Sequence, residues 1–131
     1  MTITPACAAV FALIFVALSV RTLLLRRRAA VPVGHGDDPR LMRAARVHAN
    51  FAEYVPIALL IIYFRELQDA GAAWIHLHCL ALLLGRVLHA YGVSQVNENY
   101  RFRVAGMVLT LFAIISAAVR LLAGYLLGGV A

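Results

Sequence analysis

The chain contains no lysine. Its twelve basic residues are all arginine, set against six acids, for a formal net charge of +6 over 131 residues. Charge of either sign is scarce, at 14% of the chain, where a soluble domain carries roughly 25%. That is too little to clothe a soluble surface, so an ordinary soluble enzyme is excluded. Cysteine is nearly absent. Cys7 and Cys79 both lie in apolar stretches, which excludes a disulfide scaffold; they read as buried small apolar residues rather than a bridge or a metal pair. Polar low-complexity sequence is lacking too, and with it the signature of disorder.

What the chain has is apolar length. It is 63% hydrophobic, with a mean hydropathy of +0.86. A membrane-crossing helix needs roughly 20 residues, so four of them would use nearly all of the apolar content. The expected fold is all-α: one integral membrane four-helix bundle over 1–131, with spans near 3–25, 41–67, 70–93 and 103–127. In such a protein the arginine excess belongs beside headgroups, and no surface remains for nucleic acid.

The first apolar segment is longer than a signal-peptide core, and its charges follow it rather than precede it, so it reads as a retained span. Arg21 is expected in its last turn, snorkelling outward. Arg26, Arg27 and Arg28 come next, then a loop over 29–39 broken by prolines and glycines. Asp37 or Asp38, ahead of Pro39, is a candidate N-cap for the second helix. Residues 94–102 read as a polar third loop. Loop one and its flanks add Arg40 and Arg43, and loop three adds Arg101 and Arg103, whereas loop two sets Arg65 against Glu66 and Asp69. The positive-inside rule then places loops one and three in the cytoplasm and both termini outside.

The second segment carries the chemistry. With Arg46 taken as zero and about 100° per residue, Asn50 falls near +40°, Glu53 near −20° and Arg43 near +60°. All four share one stripe. A charge inside a bilayer costs about 2.5–3.5 kcal/mol on insertion scales, so such a stripe needs a mutual network or a polar ligand. One reading is an intramembrane ion pair between Glu53 and Arg46 or an arginine on a neighbouring helix. The other is a pocket for a small zwitterion or anion, since arginine forks hold carboxylates and a glutamate holds an amine. Pro56 removes an N–H from the helix and either kinks it, widening the space beside it, or is simply tolerated.

On the third segment His78, Leu82, Gly85, Arg86 and His89 share a face. Gly85 would admit close helix approach. Arg86 either joins the second-segment stripe or snorkels. His76 and His78, two apart on a helix, point about 200° apart and make a poor chelate, so no metal site is expected. Arg103 opens the fourth segment, either as a cation that lowers the pKa of a bound thiol or as a positive-inside anchor. Tyr91 and Tyr100 read as interfacial anchors.

Arg46-x-x-x-Asn50-x-x-Glu53-Tyr54-x-Pro56 resembles the signature of the membrane-associated proteins in eicosanoid and glutathione metabolism, the MAPEG family. Gly85-Arg86-x-x-His89-Ala90-Tyr91-Gly92 and Arg103-Val104-x-Gly106-Met107 add weaker matches, so the resemblance covers Leu41 to the C-terminus and is nearest to short bacterial members. It implies a homotrimer in a bacterial inner membrane, with glutathione as co-substrate between subunits near the cytoplasmic face. It implies glutathione contacts from Arg46, Asn50, Glu53 and Tyr54, with Arg43 as a second basic position and His48 where some members carry glutamine. Arg86 and His89 would complete the binding set, and Arg103 would stabilise the thiolate as the catalytic residue. The chain departs from the eicosanoid-forming members, which have tyrosines where His89 and Val93 stand here and a shorter third loop.

Three functions follow. The first is a glutathione-dependent transferase or peroxidase acting on a small lipophilic electrophile that enters from the lipid. The second is a non-catalytic protein of the same fold that binds lipid or a partner. The third, less favoured, is a small proton-coupled multidrug exporter. An arginine beside Glu53 would keep the carboxylate ionised and spoil proton exchange.

Overall fold

The computed structural model describes residues 2–68 and 70–128. Asp69, counted above in loop two, lies outside them. The chain forms four helices: α1 (Thr4–Ala29), α2 (Pro39–Leu67), α3 (Ala72–Ser94) and α4 (Tyr100–Leu127). Each is long and apolar enough to cross a membrane. α2 packs on all three other helices, and α3 and α4 share the most extensive contact. α1 lies against α2, barely touches α3, and makes no contact with α4 among the described residues.

The helix ends differ from the sequence reading in instructive ways. α1 continues through Arg26, Arg27 and Arg28, whose charges complement the negative end of its dipole. It stops where Ala30 turns left-handed and the N–H groups of Ala30 and Val31 fold back to the carbonyls of Arg27 and Arg26. Arg21 therefore sits two turns inside the helix rather than in its last turn. Asp38 is the N-cap of α2, its Oδ1 accepting from the N–H groups of Arg40 (2.8 Å) and Leu41 (3.2 Å). Loop three is shorter than 94–102, because Asn99 caps α4 through the N–H of Arg101 and the helix starts at Tyr100. At the far end of the bundle, α1 has no capping side chain of its own. The Glu66 carboxylate, at the end of α2, accepts from the N–H groups of Ile3 and Thr4 instead.

The core runs between the helices as one apolar cluster that includes Phe11, Phe51, Ile62, Ile75, Leu82 and Ala117. Cys7 and Cys79 line a common small cavity and are both free thiols. α2 remains helical through Pro56. Beside the proline, Phe11, Phe15, Phe51 and Leu59 line an apolar groove of about 330 Å³ between α1 and α2.

The expected close approach at Gly85 is present and sets the geometry of the site. A Cβ on Gly85 would lie 2.9 Å from the carbonyl oxygen of Gly106 and 2.8 Å from Thr110 Oγ1. One on Gly106 would lie 2.5 Å from the backbone nitrogen of His89. The α3 and α4 backbones thus touch directly, which small residues permit. This contact sets the start of α4, with Arg103, against the last turns of α3.

Candidate functional site

A polar pocket of about 240 Å³ opens at the end of the bundle where loops one and three emerge. α2 contributes Met42, Arg43, Arg46 and Asn50; α3 contributes His89 and Val93; Glu98 and Arg103 complete the wall. Three guanidinium groups therefore line one small space with a single carboxylate. That carboxylate, Glu98, is nearly buried, with 7% of its side chain exposed. Arg43 Nη1 donates to its Oε2 at 3.0 Å, and Arg103 Nη1 donates to its Oε1 at 3.5 Å. Arg43 also donates to the carbonyls of Val93 (3.1 Å) and Val96 (3.4 Å), so it ties loop three to α2.

Behind the pocket lies a fourth cation. Arg86 is 2% exposed and does not snorkel. Its Nε donates to Thr110 Oγ1 (3.0 Å), its Nη1 to Asn50 Oδ1 (2.7 Å), and its guanidinium stands 5.5 Å from the centre of the Tyr54 ring. A guanidinium has five N–H donors, and no carboxylate pairs with it among the described residues. Asn50 thus has one face to the pocket and its carbonyl committed to Arg86.

The stripe predicted on α2 is divided by this arrangement. Arg43, Arg46 and Asn50 reach the pocket together with His89 and Arg103. Glu53 does not, and Tyr54 stays behind with Arg86. Arg46 and Glu53 are both exposed, and neither forms a salt bridge among the described residues, so within one chain the ion-pair reading finds Glu53 paired neither with Arg46 nor with an arginine of a neighbouring helix. His48 faces away. Its Nε2 is 2.9 Å from Ser19 Oγ and its ring stacks on Phe15 at 4.8 Å, in the seam between α1 and α2. The reason is the same helical arithmetic: two residues from Arg46 is about 200° around the helix.

The other sequence candidates have structural settings. His78 is buried, its ring nitrogens at 2.9 Å from the carbonyl of Trp74 and 2.8 Å from Ser116 Oγ, whereas His76 is exposed. Tyr91 is exposed and meets Phe102 edge-on at 5.1 Å. Glu98 was not singled out in the sequence, although it is the one acid of loop three, lying between the arginines of α2 and those opening α4.

The MAPEG family profile matches residues 4–123. The chain is 34% identical over 104 residues to the "Inner membrane protein YecN" of Escherichia coli strain K12, an alignment covering 79% of this chain and 78% of that protein. The protein of the same name from Escherichia coli O6:H1 strain CFT073 matches to the same extent. No solved structure matches. Family profile, relatives and four-helix membrane architecture agree, and the chain belongs to the MAPEG family.

Proposed function

We propose that the chain binds glutathione in the pocket of Arg43, Arg46, Asn50, His89 and Arg103 and presents its thiolate to a lipophilic electrophile from the membrane. The observation that carries this reading is the convergence of three arginines on one pocket with a single carboxylate among them. Glutathione brings two carboxylates, an ammonium group and a thiol. Arginine forks suit the carboxylates, and the remaining cation, Arg103, suits the sulfur, because a nearby cation favours thiolate over thiol. In the transfer reaction the thiol proton passes to solvent, the thiolate sulfur supplies the electron pair of a new bond to the electrophilic carbon, and the bond between that carbon and the leaving group breaks with its electrons going to the leaving group.

The same reading explains the outward stripe. Arg46 and Glu53 are exposed on a membrane-spanning helix, where unpaired charge is costly. A homotrimer would cover them with a neighbouring subunit and place the ligand at the junction, with Glu53 available for its ammonium group. The setting is a bacterial inner membrane, in keeping with the YecN relatives. The positive-inside rule puts the pocket on the cytoplasmic side.

A non-catalytic reading is favoured by one specific observation: Glu98 already occupies the space between Arg43 and Arg103. Titration of detergent-solubilised protein with glutathione separates the two. A saturable ultraviolet thiolate band, lost in Arg103→Ala, supports the enzyme. Calorimetric binding without that band supports the non-catalytic protein, and no binding refutes the glutathione reading and leaves the arginines and Glu98 as a structural ion network.

A further inference from the structure

A second basic cavity, of about 910 Å³, lies at the same end of the bundle but outside the candidate site. Its floor is one face of α1. Ala17, Val20, Arg21, Leu24, Leu25 and Arg28 recur at three- and four-residue steps, so they line up along the helix. Arg40, from the start of α2, and the segment Ser94–Asn97 close the other side. From Ala17 to Arg28 the helix rises roughly 16 Å. The wall is apolar at the deep end and arginine-rich at the mouth.

Arg21 makes this cavity more than a patch of surface charge. Its Cα lies roughly 12 Å below the end of α1, but its Nη1 donates at 2.8 Å to Oγ of Ser94, the last residue of α3, which draws the guanidinium towards the mouth and fixes it across the gap. Among the described residues, no carboxylate pairs with Arg21, Arg28 or Arg40. A guanidinium held in a fixed place at the mouth of this cavity without a carboxylate partner calls for an anion. Phosphate oxygens are the matching acceptors for guanidinium groups, and basic pockets between spans suit anionic headgroups.

We propose that this cavity binds the phosphodiester headgroup of an anionic phospholipid between Arg21, Arg28 and Arg40. One acyl chain of that lipid lies along Val20, Leu24 and Leu25. The apolar wall assigns the site to a lipid rather than to a free phosphate ion, because a small ion would leave Val20 and Leu24, each about half exposed (47% and 46%), uncovered. The site is independent of the glutathione reading, since it uses none of that pocket's arginines.

The test is lipid titration of the full-length detergent-solubilised protein, read by native mass spectrometry, with phosphatidylglycerol, phosphatidylcholine and inorganic phosphate as probes. Phosphatidylglycerol is expected to bind stoichiometrically and phosphatidylcholine not to. Arg28→Gln and Arg40→Gln, whose side chains are exposed, should each weaken phosphatidylglycerol binding at least about tenfold. Arg27→Gln removes the same charge one residue away, off the lined face, and should leave it unchanged. Equal loss in Arg27→Gln and Arg28→Gln would reduce the effect to diffuse surface charge and overturn the site. Competition by inorganic phosphate at comparable concentration would overturn the lipid assignment. Equal binding of phosphatidylcholine would overturn the role of the arginines.

Discussion

Glu98 stands between Arg43 and Arg103 and engages each through a different carboxylate oxygen, at 3.0 and 3.5 Å. It is the pocket's own anion. A ligand carboxylate or thiolate that reaches the two arginines must take its place, and a competing internal counter-ion lowers apparent affinity by the fraction of time it occupies the site.

Glu98→Gln keeps the shape and removes the charge. Glutathione should then bind roughly tenfold more tightly, a gain of about 1.4 kcal/mol, measured by calorimetry on protein in detergent. Weaker binding would instead make Glu98 a ligand for the ammonium group.

Arg103 and Arg46 should separate kinetically. Arg103→Ala is expected to abolish the thiolate band and turnover while leaving glutathione affinity within a few-fold. Arg46→Ala should raise the dissociation constant by about tenfold or more, as loss of a charge-assisted carboxylate contact does. Equal loss of binding and turnover from both changes would remove the distinction between their roles.

Asn50→Ala would leave one arm of the buried Arg86 guanidinium without its acceptor. Orphaning a buried charged donor costs about 2 kcal/mol, so the melting temperature in detergent should fall by several degrees. An unchanged melt would mean that Thr110 and Tyr54 suffice to hold the cation.

Gly106→Ala should open the α3–α4 seam, because its new methyl would meet the backbone of His89 and Gly85 at 2.5–2.6 Å. Overpacking of this kind costs roughly 1–3 kcal/mol. Gly71→Ala, with nothing within 4 Å, adds no overlap and is the comparison, costing at most about 1 kcal/mol from its place as the N-cap of α3. Melting curves of the two variants decide the matter; similar stabilities would show that the seam relaxes freely.

The trimer is proposed from the family resemblance, and exposed Arg46 and Glu53 give it a test. Native mass measurement should give three copies, and charge reversal at Glu53 should shift the population towards smaller species. A monomer that keeps both charges on its membrane face would contradict the proposed trimer.

The four spans were legible because apolar run length is a local property, and the Arg43–Arg46–Asn50 grouping because a helix converts spacing into direction. The same arithmetic turns His48 to the opposite side, where it meets Phe15 and Ser19, so its place in the binding set rested on resemblance alone. The helix ends were less legible. Arg26–Arg28 read as the flank beyond a span ending near Leu25, yet they finish α1, since helix-terminal arginines are favoured by the dipole. Glu98 was invisible because a loop residue has no period. Its position comes from Arg43, fifty-five residues earlier in the chain, reaching across to hold it. Arg86 could have faced headgroups or interior, and only Asn50 and Thr110, on two other helices, decide for the interior.

The Glu66 carboxylate beneath Ile3 and Thr4 joins two helix ends. The acceptors for the first free N–H groups of α1 lie more than sixty residues downstream, at the far end of the next span. Without the last turn of α2 on the same side, those N–H groups would be left to water. The start of the first span is thus completed by the end of the second, and the two close on each other as one hairpin.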